Sequence, residues 1–328
     1  MLSSSARPTS SAMLNKFTQS VRWLYRHAAG QKPRGDVPPP PPQGELFLKR
    51  AVIARVSEGL ANQMMVYKAA RMVSSWNNAL LILDASPYGS LHGNDKRNFQ
   101  LHHYPIRYDL LIFSAEFVRR LLKCNAVYRA PEHMIPPVED PLETQVVKEL
   151  RAAPIVYFGF WFSFFLIHAA NRHAVESKVL SELVLDYEKC FGPLDHHCLQ
   201  AIEAAKNPVA IHVRRGDFAT HGGGLLLPPD YYNRAIRDLG RKVLAPSFFV
   251  FSDDIPWCRD NLETQFPVQF VDWNDDRQGY KDLFLASRCK HFILSNESTF
   301  SHQIVQLAKP DPARIVITSR LEDVVRSP

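Results

Sequence analysis

Over 328 residues the chain is 46% hydrophobic, 11% aromatic and 22% charged. That balance excludes a wholly disordered, collagen-like or small disulfide-stapled protein, and the length allows two ordinary domains. The formal charge is +6, but residues 1–44 carry six basic groups and one acid, so the other 284 residues hold 33 basic and 32 acidic groups. A charge-balanced remainder argues against a nucleic-acid partner.

No acidic residue occurs between Met1 and Gly35, while serine and arginine recur. A helix over 14–28 would put Leu14, Phe17, Val21, Leu24, Tyr25 and Ala28 on one face, with Lys16, Arg22 and Arg26 on the other. This is the pattern of an organelle import presequence and predicts a mitochondrial location; a basic tail on a cytoplasmic protein is the alternative. Pro38 to Pro42 reads as a stiff polyproline II spacer, so residues 1–44 are expected to be a leader and linker.

Next, Phe47–Val56 reads as a β-rich run ended by Ser57-Glu58-Gly59. A helix follows from Asn62 to about Trp76, then a buried strand at Ala79–Leu83. That order is a βαβ unit and implies a parallel sheet with a right-handed crossover. Between Pro87 and Leu150 no regular element is assigned. Ile155–Ile167 (IVYFGFWFSFFLI) is too short to span a bilayer and reads as a buried core segment.

From Pro208 the alternation is cleaner. Strands are expected at Val209–Val213, Ser247–Phe251, Val268–Val271, Phe292–Leu294 and Arg314–Thr318. Helices are expected at Pro229–Leu244, after Asp254, at Gln278–Cys289 and at Ser301–Ala308. The fold class is α/β, with an N-terminal α/β lobe over 45–200 and a C-terminal Rossmann-like lobe over 201–328. Five cysteines lack CxxC or CxxxC spacing, so buried thiols in a reducing compartment are expected.

Ligands of open parallel sheets bind beyond the carboxyl ends of the strands. At the first such end stands His212-Val213-Arg214-Arg215-Gly216-Asp217. Neighbours in a strand point to opposite faces, so one arginine can take a phosphate while the other pairs with Asp217 across the turn at Gly216. A structural ion-pair network is the alternative. Ser252-Asp253-Asp254 ends the next strand; its carboxylates suit a base or ribose, a magnesium site, or helix capping by Asp254. The turn Ser295-Asn296-Glu297-Ser298-Thr299-Phe300-Ser301 opens a helix and suits a phosphate cradle or plain capping. Glu58-Gly59-Leu60-Ala61-Asn62-Gln63-Met64 puts a glycine turn and two amides at a helix start. GxGxxG, GxxxxGK[ST] and HExxH motifs do not occur.

Taken together and in order, GLANQM, HVRRGD, FSDD and DLFLASRCKHFILSN…STFS resemble the α-1,2-fucosyltransferases (glycosyltransferase family 11-like) over about residues 50–308. The resemblance implies a two-lobed GT-B-like fold with Rossmann-like parallel sheets and the acceptor on the N-terminal lobe. It implies GDP-fucose as donor, no metal or other cofactor, inversion, and transfer to the 2-hydroxyl of a terminal β-galactose on a glycan acceptor. Protein O-fucosyltransfer and a catalytically silent GDP-sugar-binding module are the alternatives.

By the same resemblance Arg214, with Arg215, neutralises the β-phosphate of the leaving GDP, and His212 lies beside the diphosphate or ribose. Asp253 contacts guanine; Ser298, Thr299 and Ser301 contact phosphate or nucleoside; Asn62 faces the donor sugar. Asp217, and more weakly Glu297, are candidates for the general base. The chain departs from the family at Ala61, where glycine is usual, at an extra residue near Glu297, and at His302-Gln303, where the family carries paired tryptophans.

Overall fold

The computed structural model describes residues 48–91, 97–131, 145–170, 179–216, 225–320 and 325–326. The presequence-like leader lies outside the described residues, as does Asp217. The described residues up to 182, apart from 59–62 and 100–105, form one compact unit. Those two short pieces and the residues from 183 onward form another. The boundary expected at residue 200 falls inside the helix Pro193–Ala204. That helix packs with the second unit because Asp195, Cys198 and Ile202 bury there.

In the first unit, β1 (Ala51–Arg55) leads into helix α1 (Leu60–Asn77) and back to β2 (Leu80–Asp84), the expected βαβ unit. Helix α1 ends at Asn78, whose φ of 46° is the left-handed conformation that asparagine tolerates. Next come β3 (Leu110–Ile112), helix α2 (Ala115–Lys123), β4 (Tyr128–Arg129) and helix α3 (Gln145–Ala152), all in the stretch where the sequence pattern assigned nothing. Ser114 caps α2, accepting from the Phe117 N–H at 3.2 Å.

The thirteen-residue apolar run is not one element. It divides at Gly159 into β5 (Ile155–Phe158) and helix α4 (Phe160–Ala170). The sheet is parallel, in the order β3-β2-β1-β5-β4. Its core on one face joins Ile53, Ile82, Ile112 and Ile155 to Val118 and Leu121 of α2.

The second unit starts with a helical turn at Tyr187–Cys190 and helix α5 (Pro193–Ala204). It continues with β6 (Asn207–Val213), β7 (Leu225–Leu226), helix α6 (Pro229–Lys242) and β8 (Pro246–Ser252). Helix α7 (Ile255–Asn261), β9 (Val268–Val271), helix α8 (Gly279–Arg288) and β10 (His291–Leu294) follow. Helix α9 (Thr299–Leu307), β11 (Val316–Thr318) and β12 (Val325–Arg326) complete it. Its parallel sheet has the order β11-β10-β6-β8-β9, and β7 pairs separately with β12. Every residue of β6 is buried, as expected for a central parallel strand covered on both faces.

All five cysteines are free thiols; Cys198, Cys258 and Cys289 are buried. Burial pushes the Cys258 thiol up to about 11 and Cys198 up to about 12, and holds Cys289 well above the ordinary range. No helix among the described residues is long and apolar enough to cross a membrane.

Candidate functional site

The carboxyl end of β6 carries the site. In register, Val213 lies opposite Ser252 of β8, so the residues that follow each strand meet. Arg214 Nη1 lies 2.7 Å from Asp253 Oδ2, and the Arg215 backbone N–H donates to Asp253 Oδ1 at 2.8 Å. Arg215 Nε donates to Asp254 Oδ2 at 3.1 Å while its guanidinium sits 4.0 Å from the centre of the Trp257 ring. Asp254 also caps α7, accepting from the Trp257 N–H at 3.1 Å, so the helix-capping reading of that residue holds.

Asp253 is accordingly a clamp on both arginines, on the side chain of one and the backbone N–H of the other. Each guanidinium faces one carboxylate, so this group of four carries no net formal charge. Gly216 serves that clamp. A Cβ there would stand 2.5 Å from Asp253 Oδ2, and the glycine is not in the left-handed region, so close approach rather than turn geometry requires it. Gly216→Ala is expected to displace Asp253, costing about 1–3 kcal/mol of stability. Urea denaturation, with Gly240→Ala avoided as control because Phe266 crowds that glycine too, checks the figure.

On the other side of β6, His212 Nδ1 and Ser301 Oγ share a hydrogen bond of 2.8 Å. The imidazole stacks on Phe300, with centroids 4.9 Å apart and planes at 23°. His212 is 6% exposed; burial drives it down to about 3, with the Arg214 charge adding. It therefore acts at neutral pH as an uncharged hydrogen-bonding ring and not as a cation. Thr299 Oγ1 donates to Asn62 Oδ1 at 2.7 Å, joining two further expected residues. Ser298 is the buried N-cap of α9, without a side-chain capping bond.

The altered turn is stapled by Glu297, whose Oε2 accepts from Ser295 Oγ at 3.1 Å and Ser319 Oγ at 2.8 Å. His302 Nε2 lies 2.8 Å from the Asn296 carbonyl, folding back on the same turn. At the GLANQM turn the left-handed residue is Glu58, with φ of 66°, and not Gly59. Gln63 is fully buried and donates to the carbonyls of Asn98 at 2.9 Å and Glu58 at 3.1 Å, so this amide is structural. The partners that the sequence pattern missed are Phe300 and Trp257. Phe300 stands inside the STFS motif and Trp257 three residues beyond Asp254, but ring stacking across strands has no signature in spacing.

His212 makes a pH prediction. Its folded value lies below the ordinary histidine value of 6.5, so between pH 6.5 and about 3 the unfolded chain takes up a proton that the folded chain refuses. Stability contributed by the neutral form is lost as pH falls through that window. His103, lowered to about 4 by burial, acts in the same sense, while Asp282, raised to about 7 by burial, acts in the opposite one. A variant comparison isolates His212. The stability advantage of wild type over His212→Gln should shrink by about 2 kcal/mol from pH 7 to pH 5, measured by urea denaturation.

The profile of glycosyl transferase family 11 matches residues 176–324. An alpha-1,2-colitosyltransferase of Escherichia coli is 27% identical over 262 residues, covering 75% of this chain and 84% of its own. The O-antigen biosynthesis glycosyltransferase WbnK of Escherichia coli is 26% identical over 269 residues, covering 75% and 86%. Galactoside alpha-(1,2)-fucosyltransferase 1 of Bos taurus is 32% identical over 108 residues, covering 31% of this chain and 30% of that one. Among solved structures, NodZ alpha-1,6-fucosyltransferase co-crystallised with GDP has a TM-score of 0.50 at 16% identity, over 80% of this chain and 93% of that one. That likeness is one of fold, and the α/β fold is of the GT-B type expected. The segment that holds the Arg214–Asp253 clamp and the His212–Ser301 pair lies within residues 176–324, the part of the chain that the profile of glycosyl transferase family 11 matches.

Proposed function

We propose that the protein transfers fucose from GDP-fucose to the 2-hydroxyl of a terminal β-galactoside, with inversion and without a metal. The observation that carries this reading is the convergence of the motif residues on one strand end: His212 with Ser301, Arg214 and Arg215 with Asp253, and Thr299 with Asn62. As the acceptor oxygen bonds to the anomeric carbon, the bond from that carbon to the β-phosphate oxygen breaks and negative charge grows on GDP. Arg214, oriented by Asp253, stabilises that charge, which is the work a metal ion does elsewhere. Neutral His212, held by Ser301, offers a hydrogen bond to the diphosphate or ribose. The acceptor proton passes to a base, for which Asp217 remains the candidate.

The test is fucose transfer from GDP-fucose to a panel of β-galactosides by the full-length protein, with chelator present. An α-1,2-linked product that Arg214→Ala no longer makes supports donor, linkage and metal independence together. GDP-fucose binding without transfer to any galactoside would favour a silent binding module. The colitosyltransferase relative makes a colitose nucleotide the competing donor, and a two-donor competition separates the sugars. The mitochondrial address is part of the proposal; residues 1–44 fused to a reporter should carry it into mitochondria, and a cytosolic reporter would refute that part.

A further inference from the structure

The two sheets share a topological feature. Strand β6 has β8, the next strand of its own sheet, on one side and, on the other, β10, which the chain reaches only after crossing back. Strand β1 has β2 on one side and β5 on the other in the same way. Ligands of open parallel sheets bind beyond the carboxyl ends at such a reversal. In the second unit that place holds His212 and, at the start of the helix after β10, Phe300 and Ser301. In the first unit the corresponding place holds Arg55, the last residue of β1, and Gly159-Phe160-Trp161 after β5. The reaction proposed above assigns none of these four a role.

Their chemistry points to a sugar. Trp161 is 56% exposed, the largest side chain among the exposed hydrophobics of the described residues. Leaving an indole in water forgoes about 1.5–3 kcal/mol of burial. Neighbouring aromatics hold it in place: the Phe160 ring meets it edge-on at 5.2 Å, and Phe164 packs on Phe160 at 6.2 Å. A Cβ on Gly159 would meet nothing nearer than Arg55, at 4.0 Å, so the end of β1 and the start of α4 lie side by side with no side chain from Gly159 between them. Arg55 is exposed, and at the same sheet edge the Tyr157 hydroxyl donates to buried Asp84 at 3.3 Å. A flat apolar ring two residues beyond Gly159, with an exposed fork of N–H donors on the neighbouring strand, fits a pyranose, which has one C–H face and a rim of hydroxyls. Galactose fits especially, because its axial 4-hydroxyl clears the opposite face of polar groups.

We propose that Trp161 is the stacking platform for the acceptor sugar ring, with Arg55 donating to its hydroxyl rim. The identity of that ligand as an acceptor rests on the transfer reaction proposed above. In full-length protein, Trp161→Ala should raise the KM for lactose about tenfold while leaving the KM for GDP-fucose unchanged. Trp161→Phe should retain most of the affinity, and Arg55→Ala should raise the lactose KM by a smaller factor. Circular dichroism melting should match wild type, since the indole is exposed. A Trp161→Ala enzyme with an unchanged lactose KM would overturn the assignment.

Saturation-transfer NMR with lactose and the methyl β-glycosides of galactose, glucose and N-acetylglucosamine reads binding without turnover. If wild type transfers no fucose yet shows saturation transfer that Trp161→Ala abolishes, the reaction fails and the platform stands. If wild type transfers no fucose and its saturation transfer is absent or indifferent to Trp161→Ala, the platform fails as well.

Discussion

Arg214→Ala is expected to lower the turnover of fucosyl transfer about 10²- to 10³-fold, the effect of deleting one preorganised donor to a developing oxyanion. The clamp makes the lower figure a floor. With both arginines present, Asp253 and Asp254 are balanced; without Arg214 the group becomes net negative where the proposed reaction puts a diphosphate. Two controls separate these contributions. Arg214→Lys keeps the charge but loses the planar fork, and should recover only part of the rate. Arg214→Ala with Asp253→Asn removes the stranded carboxylate, and should transfer faster than Arg214→Ala alone. Steady-state kinetics with both substrates varied checks the whole set; a double variant no better than the single one would show that Asp253 repels nothing.

Lys281→Met should destabilise the second unit by about 3–5 kcal/mol, the cost of stranding one member of a buried ion pair. Lys281 Nζ donates to Asp195 Oδ2 at 2.9 Å, with side-chain exposures of 10% and 2%. Asp195 also accepts from the Gly192 N–H at 2.9 Å, Trp273 Nε1 at 2.9 Å and Asn274 Nδ2 at 3.1 Å. Burial pushes this carboxyl upward, but Lys281 and the three N–H donors outweigh it and hold it below the ordinary range. Those donors place the expected loss toward the lower end. Asp195→Asn combined with Lys281→Met removes both charges, so urea denaturation should find it more stable than Lys281→Met alone. If the double variant is no better, the ion pair is not what ties α5 to α8.

The strands and helices of the second unit were legible because its parallel strands are continuous apolar runs separated by helical periods. Val268–Val271 matches residue for residue, and Pro229 opens its helix as expected. The first unit was half legible. Short strands such as Leu110–Ile112 and Tyr128–Arg129 take their stability from a neighbouring strand rather than from their own pattern. The run from Ile155 hid a strand-to-helix change because every residue in it is apolar or small, and neither period shows. At the site, motif order located the strand ends, but pairing did not follow from spacing. Spacing offers a phosphate to one arginine of the pair and Asp217 to the other, or an ion-pair network whose acids it does not name. The β6–β8 register supplies those acids, Asp253 and Asp254, 38 or 39 positions on. Local sequence shows what leaves a strand, and only register shows what it meets.

The buried thiols give the second unit a built-in clock. Cys198 lies on α5, Cys258 on α7 and Cys289 at the end of α8, and each is both shielded and held in its unreactive protonated form. An alkylating reagent attacks only thiolate, so each site is modified only when its own helix opens. A timed iodoacetamide pulse read by peptide mass spectrometry would therefore rank the three helices by how often they come loose. No foreign probe would have to be introduced.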